Sequence, residues 1–140
     1  MPMNEIDEDS GKLQPVSPET LKIFDGAAAA VEEEVSRLCL ASSPPEHEMG
    51  REASIMIKNG LGFVTKMLRA MMAYSAGNII KDELDWGKTR LPVYGVSMNM
   101  VLNNFERYQT ALEKKLPEAA YDEIRPYLTN MIQRQRTLVQ

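Results

Sequence analysis

Asp85-Trp86-Gly87-Lys88-Thr89-Arg90-Leu91-Pro92-Val93-Tyr94-Gly95-Val96-Ser97-Met98 is the stretch whose reading decides the fold. Pro92 disfavours helical backbone at Leu91 and so ends the helix before it. Gly95 permits a tight turn, and Ser97 is a good first cap for a new helix, with Val96 placed to pack against Val101. A helix stop, a turn and a helix start within fourteen residues read as the corner of a helical bundle.

Outward from that corner the chain is helical in both directions. Upstream, Ile80, Leu84, Gly87 and Leu91 share one face of a short third helix, Ile79 to about Arg90, with Trp86 and Ile79 on an adjacent face. Asp85 and Lys88 stand at the spacing of a surface ion pair within that helix. Before it, the second helix runs to about Ser75 from a start at Ser43-Pro44-Pro45-Glu46, which has capping-box spacing. Ala53, Met56, Gly60, Phe63, Met67, Met71 and Tyr74 form its leading face, and Ile57, Leu61, Val64, Leu68 and Met72 widen it beyond a surface-helix stripe. This long helix is expected to be largely buried. Gly60 and Gly62 each cost about 1 kcal/mol relative to alanine inside a helix. Close packing of a neighbouring helix is the first explanation for them, and approach of a ligand the second.

The first helix starts at Ser17-Pro18-Glu19, with a cap, a proline at the first position and an acid at the positive end of the dipole. Leu21, Phe24, Ala28, Val31, Val35 and Leu38 give it a core-facing stripe. Downstream of the corner, Met98, Val101, Phe105, Tyr108, Leu112 and Leu116 form a fourth stripe. Ala120, Tyr121, Ile124, Leu128, Met131 and Ile132 form the last, in which Pro126 is expected to kink or divide the helix near Arg125. The reading is an all-α, single-domain bundle of about five helices over residues 17–140. Residues 1–16, with four acids, two prolines and no period, are expected to be a mobile acidic arm.

Composition narrows the function. In 140 residues the chain carries 16 basic and 20 acidic side chains, a formal charge of −4. The bases are dispersed, which argues against nucleic acid as partner, since phosphate binding needs clustered Lys and Arg. No stretch of 18 uncharged apolar residues is present, so no membrane span is expected. The acidic start is unlike a signal peptide, and the lone Cys39 cannot form an internal disulfide, so the expected compartment is the cytoplasm. Cys39 sits at the C-terminal end of a helix, where thiolate is not favoured, and reads as an inert buried thiol.

Chemistry is sparse. His47 is the only histidine and lies beside Glu46 and Glu48 at a proline-rich helix start, with no nucleophile placed against it. No phosphate loop, dinucleotide fingerprint or paired metal-ligand motif occurs, so neither catalysis nor a metal or other cofactor is expected. Ten methionines remain, and Met67, Met71, Met72, Met98 and Met100 flank the corner. Flexible thioethers fill cores and line adaptable binding surfaces.

The expected function is a non-enzymatic signalling or protein-interaction module that binds a protein partner or itself, as a homodimer. The alternative is a helical, globin-like sensor domain that binds a small apolar molecule or cofactor. Either would use the corner, where Trp86, Arg90 and Tyr94 have no structural duty and are expected to be partly exposed and together, with Met67, Met71 and Met98 behind them.

Overall fold

The computed structural model describes residues 13–42, 50–75 and 78–139. Among them five α-helices follow one another: α1 (Pro18–Ala41), α2 (Gly50–Tyr74), α3 (Asn78–Arg90), α4 (Met98–Lys115) and α5 (Glu118–Leu138). A 3-10 turn, Leu91–Tyr94, connects α3 to the loop before α4. The described chain is an all-α, single-domain bundle. The expected start of the second helix at Ser43–Glu46, and His47, lie outside the described residues.

Helix ends follow the chemistry of their caps. The Ser17 side chain accepts from the Thr20 backbone N–H at 3.2 Å, and that of Ser97 accepts from the Met100 N–H at 3.0 Å. Gly95 closes the 3-10 turn with φ 82°, a left-handed conformation that glycine adopts without strain. The turn at Gly95 and the cap at Ser97 follow the sequence, but Pro92 does not take Leu91 out of helical backbone: Leu91–Tyr94 continues from α3 as a 3-10 helix, where Pro92 fits the first turn.

α1 packs most extensively against α2 and α4, and α4 against α5, while α3 rests on α5 and α2. The core gathers Phe24, Val31 and Val35 of α1, Leu68, Met71 and Met72 of α2, and Tyr108 and Leu112 of α4. Ile124, Leu128 and Met131 of α5 complete it. These stripes are the ones that the three-four spacing marks. α1 differs at its end, where Cys39 is buried and Leu38 is partly exposed. Cys39 Sγ accepts a hydrogen bond from Asn104 at 3.4 Å.

Four further details depart from the sequence reading. Residues 13–16 do not belong to a free arm. Val16 is buried, its N–H donates to the Met72 carbonyl at 3.0 Å, and the Tyr127 hydroxyl donates to the Gln14 carbonyl. Apolar burial of Leu13 and Val16 against the core draws this segment in. Second, Pro126 does not divide the last helix: α5 runs unbroken through it, with the ring on the exposed side. Only one backbone donor is lost there, and the flanking turns hold. Third, Asp85 pairs with Arg134 of α5 at 2.7 Å, so its partner is a distant residue in sequence rather than Lys88. Arg136 likewise meets Glu106 at 3.3 Å.

The fourth departure concerns α2. Its buried face is the second set of residues, Leu61, Val64, Leu68 and Met72, joined by Met67 and Met71. Ile55, Phe63 and Tyr74 are exposed. Burial on several sides holds only for the half from Leu61 to Met72. The flank that carries Met56, Gly60 and Phe63 faces something other than core.

Candidate functional site

That flank of α2 borders an apolar cavity of about 180 Å³, open to solvent on one side. From α2 it takes Met56, Gly60, Phe63 and Met67. Leu84, Trp86 and Gly87 come from α3, and Leu91 and Val96 from the corner. Met98, Met100, Val101 and Phe105 of α4 form the opposite wall, and Gln135 of α5 borders it too. The cavity is thus enclosed by α2, α3, α4 and the corner, with α5 reaching it at Gln135. Beyond it α2 and α4 are tied together by a hydrogen bond of 2.5 Å between the Thr65 and Tyr108 hydroxyls. Burial holds the Tyr108 phenol well above its ordinary pKa, so this link stays neutral.

Gly60 borders the cavity and is not held there by close packing. A methyl group in its place would meet no atom within 4 Å outside its own helix, so no neighbouring backbone requires a glycine. At Gly62 the nearest group would be the Glu32 carboxylate at 3.7 Å, an ordinary contact. Close helix packing, the first explanation from sequence, therefore does not account for either residue. At Gly60 what lies in front of the backbone is the cavity.

The polar inventory of the lining is short. Glu83 alone has an ionisable side chain. Asn104 is engaged on both sides: its Nδ2 donates to Cys39 Sγ, and its Oδ1 accepts from Arg107 at 2.9 Å. Gln135 is 1% exposed, and its Nε2 donates to the Met98 carbonyl at 3.0 Å and lies 3.5 Å from the Met98 sulfur. The amide is thereby oriented, since a carbonyl can only face the N–H₂ end.

Of the residues marked from sequence, Met67, Trp86 and Met98 border the cavity, while Met71 is fully buried in the core away from it. Arg90 and Tyr94 do not border it. Trp86 is 54% exposed, and the Arg90 guanidinium lies over its ring, 4.1 Å from the centroid. Such a stack contributes about 0.5–1 kcal/mol at an exposed site. Tyr94 is 51%, Val93 79% and Phe63 50% exposed, and of these three only Phe63 borders the cavity. Two functional candidates escaped the sequence reading. Phe63 was assigned to the core face of an all-apolar helix. Gln135 carries a readable signal, because it falls in register with Leu128 and Met131 on the buried stripe of α5, where a polar residue needs a reason.

The cavity can hold an apolar body but offers little for chemistry. Its volume is close to the roughly 150 Å³ of a cavity that admits benzene, and below the ~300–1,000 Å³ of pockets for drug-sized ligands. A porphyrin would not enter without separation of the helices. Among the described residues no group of three or more His, Cys, Asp or Glu is placed to hold a metal ion, and no helix is long and apolar enough to cross a membrane. No protein-family model matches the chain, and no curated protein or solved structure is significantly similar to it.

Proposed function

We propose that the protein is a non-enzymatic regulatory module that binds a small apolar molecule between α2, α3 and α4. The observation that carries this reading is the open, methionine-lined cavity bounded by Met67, Trp86 and Met98. Thioether side chains adapt to a guest without a fixed shape, and a glycine in the wall leaves room for it. A buried polar anchor among apolar walls is the usual composition of a ligand site. From sequence alone an interaction module ranks first; the cavity supports the ligand-binding alternative.

A second reading is supported by a separate observation. The Trp86–Arg90 stack, and the exposed Val93 and Tyr94 that follow it in sequence, include residue types enriched at protein interfaces. On this reading the corner contacts a protein partner or a second copy of the chain, and the bound molecule regulates that contact from beneath.

Trp86, the only tryptophan, supplies the test. Titration with ethylbenzene, followed at its single indole N–H resonance, is expected to give a saturable shift. An unmoved resonance up to the solubility limit defeats the ligand reading. Sedimentation velocity on the same sample addresses the second: self-association abolished by Trp86→Glu supports it for a second copy, and a monomer at every concentration defeats that form of it.

A further inference from the structure

We infer that the natural occupant of this cavity carries one hydrogen-bond donor on its apolar body, and that Gln135 reads that donor through its side-chain oxygen. The inference rests on the ligand-binding reading and specifies the chemistry of the ligand.

Gln135 is nearly wholly buried, borders the cavity, and spends its N–H₂ group on the Met98 carbonyl. No group among the described residues donates to its Oε1. Gln135 Oε1 is not among the fully buried side-chain atoms that lack a partner, so it is not sealed from the open space beside it. Water entering the open cavity meets that oxygen in the free protein, and a guest carrying a donor would take its place. Asn104, the other amide in the lining, already has its oxygen and nitrogen engaged. An apolar wall with one open acceptor fits a molecule that is apolar except for one O–H or N–H. The cavity volume limits the body to about one ring or a short branched chain. Small aryl or alicyclic alcohols and N–H heterocycles form that class. A molecule with only acceptors would set two oxygens against each other and be rejected, since a site built to read a donor discriminates against analogues that lack it.

Three probes test this: benzyl alcohol, with a donor; benzaldehyde, of nearly the same shape, with an acceptor only; and ethylbenzene, with neither. Dissociation constants are read from the Trp86 indole resonance. For the wild type, benzyl alcohol is expected to bind about three- to tenfold tighter than benzaldehyde, the worth of one net hydrogen bond. In Gln135→Met the two should bind equally, while ethylbenzene keeps its affinity and reports an intact cavity. If the variant fails to fold, the wild-type ratio alone decides. Ethylbenzene binding with no preference for the alcohol would overturn the role of Gln135 and leave the cavity reading standing. Failure of all three probes to bind the wild type would overturn both.

Discussion

At the scale of single residues, the site is set by what two side chains lack. Gly60 lacks a Cβ, in a helix where nothing but the cavity lies before it. Gly60→Ala should therefore raise stability by about 1 kcal/mol through helix propensity, read by urea unfolding. It should also weaken ethylbenzene binding, because the added methyl occupies the wall. A variant that is destabilised instead would show that the backbone there needs the glycine for a packing reason. Gln135 has no donor to its oxygen among the described residues, and its position on an otherwise apolar stripe made it legible in principle. Trp86, Met67 and Met98 were legible because large or flexible apolar groups gathered around a turn with no structural task. Arg90 was legible as a neighbour of Trp86 one helical turn away, but its stack over the ring depends on a side-chain rotamer that spacing alone does not determine.

At the scale of elements, the stripes of α1, α4 and α5 could be read directly, since one apolar face per helix leaves no choice of orientation. α2 could not be oriented that way. Apolar residues cover most of its circumference, so periodicity does not say which flank meets the core and which the cavity. Long-range polar contacts were equally out of reach, and one of them joins the start of the first helix to the early part of the last. Glu123 of α5 accepts hydrogen bonds from the Thr20 hydroxyl, and from the Ser17 backbone N–H at 2.9 Å and hydroxyl at 3.2 Å, at the start of α1. These donors, Thr20 foremost, hold the Glu123 carboxyl below the ordinary glutamate value of 4.5. A carboxylate with a depressed pKa stabilises the fold fully above its unfolded value and loses that contribution as pH falls through its folded value. The stability difference between wild type and Glu123→Gln should thus be constant near neutrality and shrink below about pH 4.5. Chemical unfolding at several pH values checks it. A difference that is the same at pH 3 and pH 7 would mean that the link does not depend on the charge.

At the scale of the molecule, the bundle leaves an open cavity bordered by α2, α3, α4 and the corner. No local pattern encodes where helices leave space between them, so the cavity itself was not legible, although the corner that forms its rim was. On the proposed function this cavity is a binding site rather than a packing defect. Methionine methyl groups provide the most direct test, because they sort into two sets. Met56, Met67, Met98 and Met100 border the cavity, whereas Met71, Met72 and Met131 are fully buried elsewhere. Intermolecular nuclear Overhauser effects from bound ethylbenzene to assigned methionine methyls should appear for the first set and be absent for the second. Contacts spread over both sets, or to none of the four lining methionines, would contradict the site.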